Sequence, residues 1–465
     1  GFANFLLLAL FAAAVFDLIF ALARGGGLRG ALHGLWNTPH LLFGQQLAEW
    51  RLQLGRILFA AGLAAYEISV VFCNSMARQN WAWVQGVMSP VLEWLAFLCF
   101  GAKILFGTRY TWRELLAGGA LYFIARWVYF NSQNIWWIGI VVAVLAAKDV
   151  PLRRPLQVYF ASGCAAMAVV LALHFAGIVA PDLTSERMGA LRGTYGYGHP
   201  NTFGGLVFGL VLAYALLRAQ KVRWVDCLLV FAVGVFLLVG PASRSAALCT
   251  LALAIGLVFC RLRAGHSVPR WWPGTCAGMV GLTAAVSYLL PLLVIKVGPW
   301  NNDIGPAWLA KLDSLLTCRI SLTWMAYRLL DVKIAGQVFD WPTVDNSFAF
   351  ALFQFGPVVA ALLGILFAAA LWGHAKQGRR VEVCCLFAML AYAYMEVQPF
   401  HLTTNPTALL LCGAVWRAEL GLCGHLEAGY RCLAAGRPDK LGGPHRVYSG
   451  SGGSHLPDSR IVQPQ

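Results

Sequence analysis

Residues 224–260 read WVDCLLVFAVGVFLLVGPASRSAALCTLALAIGLVFC. Two apolar runs, 224–240 and 245–260, flank the polar turn PASRSA, and neither alternates with the period of two that a barrel strand requires. Runs of this length approach the ~20 residues that a helix needs to cross the ~30 Å hydrocarbon core of a bilayer. Backbone groups left unpaired in hydrocarbon cost several kcal/mol each, so spanning segments with this pattern are helical. The unit that decides the fold is a membrane helical hairpin.

Outward from this hairpin, further near-spanning runs occur at 2–22, 56–73, 87–106, 114–130, 135–147, 157–180, 202–217, 276–296, 347–372, 382–398 and 406–420. Together they predict an all-α, polytopic integral membrane helix bundle of about 12–13 transmembrane helices, the count depending on whether the first run spans or lies at the interface. That run lacks the basic n-region of a signal peptide and reads as a membrane helix or anchor. Composition demands the same solvent: 59% of the 465 residues are hydrophobic and 12% charged, too few polar groups to cover a water-facing surface.

The formal net charge of +15 is dispersed in short clusters between apolar runs, which argues for membrane topology and against nucleic acid as a partner. Arg153 and Arg154, then Arg218, Lys221 and Arg223, then Arg261, Arg263 and Arg270, then Lys376, Arg379 and Arg380 fall on every second connection and mark the cytoplasmic side. Residues 1–420 then form one transmembrane unit carrying an extracytoplasmic loop at 297–346, of which Leu309–Leu330 fits an amphipathic helix. Residues 421–465, rich in Gly, Pro and Ser, predict a largely disordered cytoplasmic tail. The 13 cysteines contain no CxxC pair and suggest neither a zinc site nor a disulfide framework.

Polar residues concentrate at helix ends on the outer side. In ERMGALRGTYGYGHPNTFGG, 186–205, the glycines let the backbone approach a ligand, Arg192 offers a charge-assisted clamp, and a helix starting near Asn201 presents free N–H groups to an anion. The same pattern also fits a plain turn and helix start, with His199 beside it. In PASRSA, Arg244 either snorkels to lipid phosphates or joins Arg192 over a diphosphate. In DWPTVDNSFAFALFQFG, 340–356, Asp345 and Asn346 fit an N-cap, and Asp345 also fits a general base with Arg319 or Arg328 supplying positive charge. Glu396, at the outer end of its helix with His401 and Asn405 beyond, is a costly carboxylate that calls for a partner or a wet site.

The order of LRGTYGYGHPN, ASRSA, CRISLTW, TVDNSFAFALFQFG and YMEVQPFHLTTNP resembles the Wzy-type polysaccharide polymerases and related O-antigen ligases, over about residues 187–405. The resemblance implies metal-independent, cofactor-free glycosyl transfer on the outer face of a bacterial plasma membrane. A glycan would pass from a polyprenyl diphosphate-linked oligosaccharide to the terminal sugar of another lipid-linked repeat unit, with a flippase and a chain-length regulator as partners. By position, Arg192 and Arg244 correspond to the family's diphosphate-binding arginines. The ligases' loop histidine has no counterpart between Gly298 and Asn346, which favours polymerase over ligase. Asp345 is then the first choice of base, followed by His199 and Glu396, with Asn201 and Asn346 as further site residues. A transporter or flippase of lipid-linked sugars is the alternative class, though no internal repeat is visible and the distinctive polar residues lie outside rather than at the bilayer midplane.

Overall fold

Helix boundaries follow local chemistry. Thr111 and Glu114 form a reciprocal capping box at the start of one helix, Asn134 caps the next, and Pro200, Pro273 and Pro357 occupy first-turn positions where a missing N–H costs nothing. The computed structural model describes residues 2–23, 27–44, 47–179, 185–187, 190–295 and 305–418. The predicted tail at 421–465 and the start of the predicted loop lie outside the described residues.

In chain order the helices are α1 (Phe2–Ala23), α2 (Gly27–Asn37), α3 (Ala48–Cys73), α4 (Ala77–Asn80), α5 (Ser89–Phe106), α6 (Trp112–Ser132), α7 (Ile135–Ala146), α8 (Arg153–Phe175) and α9 (Pro200–Arg218). There follow α10 (Trp224–Val239), α11 (Arg244–Leu262), α12 (Trp272–Leu289), α13 (Ala307–Leu315), α14 (Arg319–Leu329), α15 (Ser347–Phe350), α16 (Pro357–Lys376), α17 (Arg380–Met395) and α18 (Ala408–Ala418). Among the described residues strands are confined to two short antiparallel ribbons, β1 (His40–Leu41) with β2 (Arg109–Tyr110) and β3 (Ser185–Arg187) with β4 (Ala190–Arg192). The chain is an all-α, polytopic helix bundle.

Among the described residues eight helices are long and apolar enough to cross a membrane: 5–23, 48–73, 84–106, 153–175, 200–218, 244–262, 272–293 and 357–376. The 12-residue α7 and the 16-residue α10 are apolar but shorter. The other apolar runs become α6, α17 and α18. Side chains such as Leu228, Val239, Ile255 and Ile365 point outward, as expected of a surface bathed in lipid, while Tyr159, Tyr392, Phe208 and Phe59 fill the interior.

Two segments depart from the sequence reading. Residues 347–372 do not form one helix: Gly356 adopts φ +89° just ahead of Pro357, and a Cβ at Gly356 would lie 2.1 Å from the Ile334 carbonyl oxygen. The chain therefore breaks between α15, with its following π-helical turn, and α16, and the loop packs into the break. Leu309–Leu330 is likewise two helices, separated by left-handed Thr317 and Cys318. The buried Asp313 carboxylate accepts from the N–H groups of Ile320 and Ser321 at 2.8 and 3.1 Å, capping α14 from α13. Leu309, Ile320 and Val294 form a small apolar core beneath this helical pair.

The alternation of chain direction puts Cys318 and Gln220, both exposed, at opposite ends of the bundle. On intact cells an impermeant maleimide should label the Cys318 thiol, and Cys318→Ser should abolish that labelling. Gln220→Cys, made in the Cys318→Ser background, should react only after permeabilisation. The reverse pattern would overturn the orientation.

Candidate active site

Three helices begin at one point. Asn201 in the first turn of α9, Ser245 in the first turn of α11 and Arg319 at the start of α14 all donate to a single atom, Oε1 of Glu396, at 3.0, 2.9 and 3.0 Å. Glu396 is the residue on which α17 ends, and it is 5% exposed. A buried carboxylate is tolerated only when its lone pairs are engaged, and these three donors engage it. Burial pushes the Glu396 carboxyl above the usual carboxylate range; Arg319 opposes that rise and the nearby Asp345 adds to it.

Arg319 is held on several sides. Its Nη1 lies 2.6 Å from Asp345 Oδ2, its Nη2 reaches Glu396, and its Nε donates to the Met395 carbonyl at 2.7 Å. One guanidinium thereby joins the outer loop, the end of α17 and the segment leading into α15. Ser347 donates to the Glu396 carbonyl at 2.5 Å and completes the junction.

Arg192, 6% exposed at the end of β4, donates to Asn201 Oδ1 at 2.9 Å and to the Ala242 carbonyl at 3.2 Å. That second contact brings it to the PASRSA turn, two residues from Arg244. Arg244 is exposed at the first position of α11, flanked by Ser243, whose hydroxyl lies 3.5 Å from Asn201 Oδ1, and by Ser245. The structure thus gathers Arg192, Asn201, Arg244, Arg319, Asp345 and Glu396 in one place.

The remaining candidates sit differently. His199 is exposed, and its Nδ1 accepts from the Asn201 N–H at 3.1 Å, making it the cap of α9 beside the cluster. Asn346 accepts from Phe348 and Ala349 N–H and donates to Ser287, so its side chain caps α15 and ties it to α12. Arg328, exposed on the last turn of α14 with its guanidinium over the Trp324 ring at 5.7 Å, is not brought into the cluster.

Close packing makes the convergence possible. A Cβ at Gly204 would lie 2.2 Å from Ser243 Oγ, and one at Gly205 would lie 1.8 Å from Gln398 Oε1. These glycines serve packing within the chain, drawing α9 against the α11 and α17 ends. Gln398, which the sequence reading passed over, donates to the Asn201 carbonyl at 3.3 Å and accepts from Tyr392 at 2.7 Å.

With the start of α14 already capped by Asp313, the starts of α9 and α11 and three arginines face the two carboxylates Asp345 and Glu396, a positive surplus suited to an anion. Comparison with family models, with curated proteins and with solved structures finds no match for this chain.

Glu396→Ala would strand Arg319, Asn201 and Ser245 together. It should destabilise the fold by about 3 kcal/mol, near the lower end for breaking a buried pair because Asp345 remains. Glu396→Gln keeps the acceptor oxygen and should cost less. Thermal unfolding of the purified variants measures both, and an unchanged melting temperature in Glu396→Ala would contradict the network.

Proposed function

We propose that the chain is a membrane polysaccharide polymerase that transfers a glycan from a polyprenyl diphosphate carrier to the terminal sugar of a second lipid-linked repeat unit. The carrying observation is the convergence of Arg192, Arg244 and Arg319 with Asp345 at a cluster of helix N-termini. Such a site binds a diphosphate and offers a carboxylate to an attacking hydroxyl. The resemblance of the five motifs to Wzy-type polymerases supports the same reading.

In this reaction the acceptor hydroxyl oxygen attacks the anomeric carbon, and the bond from that carbon to the diphosphate oxygen breaks. The electron pair leaves with the diphosphate, and the hydroxyl proton passes to Asp345. Arg192, Arg244 and the starts of α9 and α11 stabilise charge developing on the departing oxygen. A single direct displacement inverts the anomeric centre. Arg319 positions Asp345, and Glu396 positions Arg319.

An apolar cavity of about 160 Å³ supports a lipid-linked substrate. It runs between Val141 and Leu363 and includes Ser347, whose hydroxyl touches the Glu396 carbonyl. An isoprenoid chain seated there would have its polar end beside the cluster.

Reconstituted protein supplied with a polyprenyl diphosphate-linked repeat unit in the presence of EDTA should give a ladder of products. Losing one charge-assisted arginine contact costs about 2–4 kcal/mol in the transition state, so Arg192→Ala and Arg244→Ala should slow extension roughly 30- to 1000-fold. Asp345→Asn should also slow it. Unextended substrate across several repeat units, with lipid crossing the bilayer instead, would mean a transporter; transfer to a different acceptor without a ladder would mean a ligase.

A further inference from the structure

At the opposite, basic end of the bundle, three connections far apart in sequence enclose an open cavity of about 510 Å³. Its walls carry Lys221 and Arg223 from the α9–α10 turn, Arg261 from the last turn of α11, and Arg379 and Arg380 from the α16–α17 turn, against the one carboxylate of Glu382. Basic residues on this side are expected of any membrane protein, but topology alone asks only that they be solvated. Here they line a common space.

The walls are fastened. Arg380 donates to the carbonyls of Arg263 and His266, clamping the α16–α17 turn to the end of α11. Neighbouring Arg218 is neutralised by buried Asp226 at 3.1 Å. Among the described residues no carboxylate pairs with Lys221, Arg223 or Arg261, and all three are exposed. Uncompensated cations gathered around one cavity attract phosphate, each adding to the others.

The rim also meets the lipid-facing surface. Trp224 and Val225, beside Arg223, and Leu262, beside Arg261, are exposed at 53%, 69% and 62%. A headgroup in the cavity would leave its acyl chains lying along α10 and α11.

We infer that this basic cavity is a second site, distinct from the cluster at the other end, which takes the phosphate group of an anionic ligand. The phosphate belongs either to an inner-leaflet phospholipid or to a soluble phosphate compound, and the site does not depend on the reaction proposed above.

The test uses the full-length purified chain, titrated with phosphatidylglycerol or phosphatidylcholine and read by native mass spectrometry. In parallel, inorganic diphosphate is titrated and thermal unfolding is followed. The cavity variant is Lys221→Gln/Arg223→Gln/Arg261→Gln. Arg153→Gln/Arg154→Gln, exposed at the same end on α8, is the control. Each cation beside the headgroup phosphate contributes roughly fivefold in affinity, so removing three should weaken phosphatidylglycerol binding about 100-fold, while the control, whose arginines do not line the cavity, should retain most of it. That result identifies a lipid headgroup. Diphosphate protection that is larger in wild type and control than in the cavity variant, where only the outer cluster remains to bind it, without lipid selectivity, identifies a soluble phosphate at the same site. Absence of both effects, or equal loss in both variants, overturns the proposal.

Discussion

The arrangement at the outer end depends on one guanidinium. Arg319 is pulled by Asp345, by Glu396 and by the Met395 carbonyl, and it begins the helix that carries it. An arginine so little exposed is costly unless each donor finds an acceptor, and two carboxylates packed together are costly unless a cation separates them. Each group is the condition for the others. The loop holding α13 and α14 has only small apolar clusters of its own, so this charge triad fixes where it sits over the bundle.

Glu396 has a second consequence. Helices that start at a common point bring like partial charges together, and the first turns of α9, α11 and α14 are joined through one carboxylate oxygen. Without that oxygen the starts of α9 and α11 would lose the carboxylate between them, α14 keeping Asp313 as its cap, and Asn201, Ser245 and Arg319 would lose their shared acceptor. With it their side-chain donors share one acceptor, with Arg192 and Arg244 beside them. Donors already in place need not reorganise when charge develops on a ligand.

Much of this was legible in the sequence because hydrophobic run length, alternating basic loops and helix-end chemistry are local properties. Arg192, Asn201, Arg244, Asp345 and Glu396 stand out for that reason: each is a polar residue where an apolar helix begins or ends. What local pattern did not reveal was pairing. Ser245 lies at a helix start, where a hydroxyl usually acts locally, yet its hydroxyl reaches 151 residues along the chain to Glu396. Gln398 carried no signal, because besides the nearby Tyr392 its partner is Asn201, which meets it only once Gly205 lets α9 close in. The split at Thr317 and Cys318 was hidden because neither residue is a usual carrier of positive φ, and Asp313 compensates by capping the helix that follows.

The network also separates the roles of its two carboxylates. A general base needs a lone pair that a substrate hydroxyl can reach. Glu396 Oε1 already accepts three hydrogen bonds and its side chain is 6% exposed, whereas Asp345 is 21% exposed and meets Arg319 through Oδ2. Burial makes Glu396 a reluctant anion whose function is to hold Arg319 and the helix starts. Asp345, oriented by the same arginine at the edge of the cluster, is the carboxylate that an incoming sugar would meet. On the proposed reaction the buried acid therefore builds the site, and the more open one does the proton transfer.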